Sequence, residues 1–427
     1  MLPLEKIENW DKVDLQMIDS RTGRTMNNYL PTEYQAFIHK SRYARWLDKG
    51  KRREEWSETV ERYMDNVVRP VIGDDSYVNK IRDAILDLEV MPSMRAMMTA
   101  GPALNRDNTA GYNCSYLPVD DPKSFDEAMF ILLCGTGVGF SVERQFISKL
   151  PDIPDLFNSE TTIVVKDSKE GWAKAFRQLI ALLYSGEIPQ WDVSQVRPAG
   201  ARLKTFGGRA SGPGPLVDLF NFTIHTFKEA QGYKLSSMQC HDIMCKIGEV
   251  IVMGGVRRSA MISLSNLSDD RMRHAKSGAW WSSDPHRALA NNSVAYTEKP
   301  DAVSFMREWT ALVESGSGER GIFNREAAKK QAGKYNRRDA DWDFGTNPCS
   351  EIILRPYQFC NLTEVVVRAT DTIEDLERKV RCATILGTIQ STYTKFPYLR
   401  KVWQRNTEEE RLLGVSLTGI MDNRLLT

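Results

Sequence analysis

Gly345-Thr346-Asn347-Pro348-Cys349-Ser350-Glu351-Ile352, followed by Phe359-Cys360-Asn361-Leu362, sets an amide, a thiol and a carboxylate on alternate positions, with a second thiol eleven residues beyond the first. In an extended segment the side chains at i, i+2 and i+4 share one face. Asn347, Cys349 and Glu351 are therefore expected to converge on one small ligand. Pro348 holds its predecessor extended and lacks an N–H, which predicts a loop or strand edge rather than a helix. Eleven residues allow the chain to leave and return, so Cys360 can reach the same ligand. An isolated Cys in such a turn reads as a buried structural thiol; the whole constellation reads as a site.

The chain has 427 residues, 41% hydrophobic and 26% charged, the composition of a globular protein with two or three domains or one large α/β domain. A formal charge of +1 argues against a surface built for nucleic acid. No apolar run reaches the roughly 20 residues a bilayer span needs, and Met1-Leu2-Pro3-Leu4-Glu5-Lys6 lacks a signal-peptide core. No membrane role and a cytoplasmic location are expected. The seven cysteines (Cys114, Cys134, Cys240, Cys245, Cys349, Cys360, Cys382) show no zinc-like spacing. Their odd number fits reduced thiols, some of them catalytic, and no metal ligand is assigned. Cys240 and Cys245, five apart on a predicted helix, fall on different faces and read as structural.

Along the chain, charged helical segments come first, with Trp46, Leu47, Trp56 and Val60 as expected core anchors. Ser93 and Arg95, beside Pro92 at a helix start, suit either an anion site or a plain N-cap. Strands are predicted at 112–118, 290–296, 365–367 and 414–420, the last of them buried, and helices at 124–133 and from Ile373 to about Tyr393. This alternation indicates an α/β architecture. The glycines of Cys134-Gly135-Thr136-Gly137-Val138-Gly139-Phe140 lack both the P-loop Lys and the Rossmann spacing, and read as close backbone packing at a strand end. Two more glycine-rich loops, one with Gly207, Arg209 and Ser211, the other with Gly255, Arg257, Arg258 and Ser259, combine mobile backbone with guanidinium groups. They suit a nucleotide, or are solvated turns.

From about Tyr43 to Thr427 the sequence resembles the catalytic subunit of ribonucleotide reductases, above all the monomeric adenosylcobalamin-dependent (class II) triphosphate reductases. The likeness is carried by Tyr43-Ala44-Arg45-Trp46, Asn113-Cys114, Gly137-Val138-Gly139-Phe140-Ser141-Val142, Arg197-Pro198, Phe206-Gly207-Gly208, Ala210-Ser211-Gly212-Pro213, Val256-Arg257-Arg258-Ser259-Ala260, Asn291-Asn292-Ser293-Val294-Ala295, Asn347-Pro348-Cys349 and Cys360-Asn361-Leu362.

The resemblance implies a helical region over 1–90 and, over 91–427, the first part of a ten-stranded α/β barrel of two half-barrels, with a finger loop near 347–351 and the second half-barrel missing. It implies that Cys349 becomes the thiyl radical taking the ribose 3′-hydrogen, that Glu351 is the base on the 3′-hydroxyl, that Asn347 bonds the ribose hydroxyls, and that Cys114 and Cys360 are the reducing pair. Ser93, Arg95 and Asn113 would line the substrate pocket; the two glycine–arginine loops would read a deoxynucleotide effector. The implied partners are a ribonucleoside tri- or diphosphate, a thioredoxin-like dithiol and a complementary C-terminal chain, with adenosylcobalamin as cofactor. An ATP-cone domain is missing at the start, and the insertion between Pro151 and Trp172 reads as short, which makes effector binding across a homodimer an alternative. Two further readings stand beside it: a class I-type subunit whose radical comes from a ferritin-like metal subunit, and a non-catalytic nucleotide-binding half.

Overall fold

The computed structural model of the chain describes residues 29–201, 209–253 and 260–427. Two compact units emerge, one running to Asn105 and then recruiting Leu362–Gln390 and Leu413–Thr427, the other comprising Arg106–Asn361 and Ser391–Leu412.

The larger unit is organised by short strands that, apart from the exposed edge strand Gly321–Asn324, are buried along nearly their whole length, as parallel strands covered on both faces must be. Gly321–Asn324, Asn291–Tyr296, Met261–Asn266, Gly137–Ser141 and Cys114–Pro118 lie side by side in that order, each parallel to the next. Five parallel strands are what one half of a ten-stranded barrel holds. A sixth strand, Gln358–Phe359, joins antiparallel beside Cys114–Pro118, pairing Gln358 with Tyr116 and Phe359 with Ser115.

Crossovers between the parallel strands are helical. Lys123–Leu133 links the first two, and Lys169–Tyr184, Gly214–Glu229 and Ser237–Met253 precede the third. These helices share one core with Leu117, Val138 and Phe140 of the sheet. Ser168 caps the Lys169 helix by accepting from the Gly171 N–H, and Asp301 caps Ala302–Ser315 by accepting from the Ser304 N–H. The Ser237–Met253 helix is so enclosed that Cys240 and Cys245, on different faces, are both fully buried.

In the smaller unit, Trp56–Tyr63, Asp75–Leu86 and Ile373–Gln390 are helices, and Leu362–Val366 pairs with Gly414–Thr418 on one side and Val90–Met91 on the other. Trp56 and Val60 are buried as expected. Trp46 is not: it is 47% exposed, on a two-residue ribbon where Trp46 pairs with Arg53 and Leu47 with Arg52. The helical spacing around Trp46 fails because the helical turns end at Tyr43 and the chain extends from Ala44. The Gly414–Thr418 strand is likewise half-exposed rather than buried, since among the described residues it has a strand neighbour on one edge only. No helix among the described residues is long and apolar enough to cross a membrane.

Candidate active site

Gly345–Thr346 and Ile353–Leu354 form a two-stranded antiparallel hairpin whose tip is the segment 347–352. Among the described residues these strands pair only with each other. At the tip the Ser350 N–H donates to the Asn347 carbonyl at 3.0 Å, which places Pro348 at the second position of a turn, where its fixed φ is favourable. Ser350 then adopts φ +71°, in the left-handed region.

The hairpin lies against glycines. A Cβ on Gly139 would stand 1.8 Å from the Thr346 carbonyl oxygen, one on Gly137 2.9 Å from Pro348 Cγ, and one on Gly345 2.1 Å from the Tyr116 ring. The spaced glycines Gly137 and Gly139 are thus an approach channel for backbone. Gly137 and Gly139 alternate with Val138 and Phe140, so one face of their strand receives the hairpin while the other enters the helical core.

The thiols follow from strand register. Gln358 opposite Tyr116 and Phe359 opposite Ser115 put Cys360 opposite Cys114, and the Cys360 N–H donates to the Cys114 carbonyl at 2.9 Å. Such directly opposed residues have Cα atoms about 5.5 Å apart, within the span a disulfide bridges. The Cys360 thiol is raised well above the ordinary range, chiefly by its hydrogen bond with Cys114 and then by burial. Cys349 is exposed at the hairpin tip, and its thiol is pushed up by partial burial, then by the Glu351 carboxylate and by Cys114. Cys114 thus raises both of the other thiols, Cys349 and Cys360. Cys349 and Cys360 are held protonated at neutral pH, the state from which a thiol gives up a hydrogen atom.

Asn347 and Glu351 meet, though not by extended alternation. Asn347 is buried and donates from Nδ2 to Glu351 Oε1 at 2.7 Å, while its Oδ1 accepts from the Ile352 N–H at 3.0 Å and the Thr346 hydroxyl at 3.3 Å. The reverse turn, rather than a shared strand face, folds the carboxylate back onto the amide. Glu351 and Cys349 face outward at the tip.

The remaining cysteines are buried and apart from this cluster. Burial pushes Cys382 up to about 12 and Cys134 up to about 11, although Lys169 Nζ donates to Cys134 Sγ at 3.0 Å. Ser93 belongs to the smaller unit, where its hydroxyl accepts from the Ala96 N–H as an N-cap and its own N–H donates to Gln390 Oε1 at 3.0 Å. Arg95 is the second residue of that short helix, Met94–Thr99. Asn113 directly precedes Cys114, and its carbonyl accepts from the Gly137 N–H at 2.8 Å. Arg209 is exposed and donates to the Gly200 carbonyl at 3.0 Å, and Ser211 Oγ donates to the Gly212 carbonyl at 2.9 Å. Gly207, Gly255, Arg257, Arg258 and Ser259 lie outside the described residues.

Two features escaped sequence reasoning. Asp242, Asp284 and His286 bring ligand-type atoms within 4.8 Å of one another. Arg287 forks onto both Asp242 oxygens at 2.7 and 2.8 Å, so the cation this cluster needs is already a guanidinium. The second is a pair of guanidinium groups at the feet of the hairpin, the buried Arg325 and the partly buried Arg338, which no local motif marks.

The family model described as the insertion domain of B12-dependent ribonucleotide reductase matches residues 148–226. The segment between Pro151 and Trp172 lies within the residues that this family model matches. The adenosylcobalamin-dependent ribonucleoside-triphosphate reductase of Lacticaseibacillus paracasei is 29% identical, over 90% of this chain and 61% of its own length. The protein of that name from Lactobacillus helveticus is 27% identical, with the same coverage. A crystal structure of a B12-dependent class II ribonucleotide reductase superposes with a TM-score of 0.75 at 22% identity, covering 90% of this chain and 62% of that one. The Actinobacillus ureae class Id ribonucleotide reductase alpha subunit gives 0.51 at 12% identity. The chain spans about three-fifths of the length of the curated relatives it matches.

Proposed function

Over most of its length this chain is a relative of the adenosylcobalamin-dependent ribonucleotide reductases, and on that footing we propose that it carries the thiol machinery for reducing ribonucleotides to 2′-deoxyribonucleotides. The observation that carries this reading is the division of labour among three cysteines. Cys114 and Cys360 oppose each other on paired strands, while Cys349 tops a separate hairpin beside Glu351 and near Cys114.

Ribose reduction needs both arrangements. A 2′-hydroxyl is a poor leaving group; a radical at C3′ lets it depart as water once the 3′-hydroxyl is deprotonated and a thiol supplies a proton. As a thiyl radical Cys349 takes the 3′-hydrogen atom and later returns it to C3′, and Glu351 accepts the 3′-hydroxyl proton and gives it back, help worth roughly 10²–10⁴ in rate. Asn347, buried and locked at Oδ1, aims Glu351 through its Nδ2 and bonds the ribose hydroxyls at the tip. Cys114 and Cys360 together deliver two electrons and two protons, one proton leaving in the water and the other hydrogen ending on C2′, and they end as a disulfide, which their register permits. Asn113, Ser93 and Arg95 are proposed substrate contacts, and Arg209 and Ser211 effector contacts together with Gly207, Gly255, Arg257, Arg258 and Ser259.

The donor set fits adenosylcobalamin: a protonated thiol exposed at a loop tip is reachable by a group from outside the hairpin. When bound, the cofactor supplies the one-electron chemistry that withdraws the hydrogen atom from Cys349. A ribonucleoside triphosphate is the substrate suggested by the relatives' names. A cytoplasmic setting, a thioredoxin-like reductant and a complementary C-terminal portion complete the proposal.

The test combines this chain with the C-terminal portion its relatives possess, adenosylcobalamin, a dithiol and a ribonucleoside triphosphate. Deoxyribonucleotide is expected, and Cys349→Ala abolishes it. Turnover that survives Cys349→Ala overturns the proposal. Turnover that ignores cobalamin and demands a metal-loaded partner protein favours the class I-type reading.

A further inference from the structure

Among the described residues the hairpin carrying Cys349 joins no strand of the main sheet, so something other than strand pairing must set its position relative to Cys114. Arg325, at the start of the Arg325–Gly333 helix, donates from Nε to the Phe344 carbonyl at 2.6 Å, one residue before the hairpin begins. Its two terminal nitrogens fork onto Glu143 at 2.7 and 2.5 Å. Glu143 lies just beyond the Gly137–Ser141 strand and also accepts from the Ser141 hydroxyl at 2.7 Å and from Gln145 Nε2 at 3.0 Å. Both side chains are essentially buried, 1% and 0% exposed. At the returning strand Arg338 repeats the device: it donates to the Ile353 carbonyl at 2.9 Å and pairs with Glu410 at 2.8 Å.

A buried ion pair is poor value as a source of stability, because apolar side chains of the same volume serve as well. What a guanidinium adds is geometry: a planar fork whose donors have fixed mutual directions. Arg325 spends two donors on a carboxylate rooted in the glycine strand and the third on the backbone of the hairpin. It thereby ties the segment bearing Cys349 to the strand across which that segment lies.

We propose that Glu143 and Arg325 are positioning residues that hold the Cys349 loop in register with the Cys114–Cys360 pair. Neither touches a reacting atom; they act through the Phe344 carbonyl. Arg338 and Glu410 do the same for the other foot of the hairpin. The proposal rests on the reading of Cys349 as the reacting thiol, but its test does not.

The experiment uses the full chain with Cys360→Ser, so that Cys114 has Cys349 as its partner, and measures the rate of Cys349–Cys114 disulfide formation under diamide by peptide mapping. Arg325→Lys keeps the charge opposite Glu143 but lacks the fork. It is expected to slow the cross-link roughly tenfold, the scale of one hydrogen bond to a charged group. In the chain with Cys360 intact, Cys114–Cys360 disulfide formation serves as the control and stays unchanged, since that pair is set by strand register. An unchanged Cys349–Cys114 rate in a folded Arg325→Lys protein overturns the proposal. Should that variant not fold, the neutral pair Glu143→Gln with Arg325→Met replaces it under the same criterion. A slowed cross-link together with reductase turnover that is indifferent to Cys349 leaves the anchor standing and removes the reductase reading; the converse removes the anchor alone.

Discussion

Gly139→Ala adds one methyl group at the point where the hairpin crosses the sheet. The new Cβ would stand 1.8 Å from the Thr346 carbonyl oxygen, whereas real Cβ atoms essentially never approach closer than 3.0 Å. The obstacle is backbone, with no flexible side-chain end to swing away. The hairpin must therefore rise by at least the difference, about 1.2 Å. Overpacking of this kind costs typically 1–3 kcal/mol, so the larger unit is expected to stay folded with a lowered thermal midpoint. Thr346 is three residues from Cys349, and a misplacement of about 1 Å at a reacting group costs on the order of 10² in rate. In the turnover assay of the proposed function, kcat for deoxyribonucleotide formation should fall about a hundredfold while KM changes little. Gly73→Ala, whose added methyl meets nothing within 4 Å, is the control. Turnover of Gly139→Ala within twofold of the unmodified protein, with a native thermal midpoint, would refute the claim that the glycine strand seats the finger.

Glu351→Gln removes a negative neighbour that helps keep the Cys349 thiol protonated, so alkylation of Cys349 by iodoacetamide at pH 8 should become faster; a slower or unchanged rate, read by mass spectrometry of the Cys349 peptide, contradicts the placement of the carboxylate. Burial of His39, and then the neighbouring Lys40 ammonium, hold its imidazole down to about 4. Since the unfolded chain binds this proton near pH 6.5 and the folded one does not, stability is intact above that pH and is lost on acidification toward 4, by roughly 1.5 kcal/mol between pH 6.5 and 5. His39→Gln should flatten that part of the pH–stability curve, measured by urea unfolding; a curve as steep as before removes His39 as the cause.

Two of the parallel strands, at 112–118 and 290–296, and the helices at 124–133 and around Cys240 and Cys245 were legible because strands demand short apolar runs and helices a 3.6-residue period; Met261–Asn266, Gly321–Asn324 and the helices Lys169–Tyr184 and Gly214–Glu229 were not. The same logic misplaced Trp46, whose flanking pattern suits a helix although the chain is already extended there. It also buried Gly414–Thr418, because local apolarity does not reveal whether a strand has one neighbour or two. The glycines at 137 and 139 announced a close approach of backbone, but what approaches, Thr346 and Pro348, lies some 200 residues further along the chain.

At the site, the residue types Asn347, Cys349, Glu351 and Cys360 and their spacing are properties of the sequence alone, since they depend on chemistry carried within one short stretch. Their juxtaposition is not. Asn347 reaches Glu351 because Pro348 starts a turn and Ser350 closes it in the left-handed region, where an extended reading places them along a strand. Cys114 meets Cys360 because Gln358 and Phe359 pair in one register with Tyr116 and Ser115; a slip by one residue would send Cys360 to the opposite face. Glu143 and Arg325, 182 residues apart, carry no local pattern at all, and only the folded chain shows that their fork ends on the backbone of the hairpin. Short-range sterics and periodicity can be read from neighbours in sequence, whereas register, burial of charge and the seat of a thiol are set by contacts that exist only once distant segments have packed.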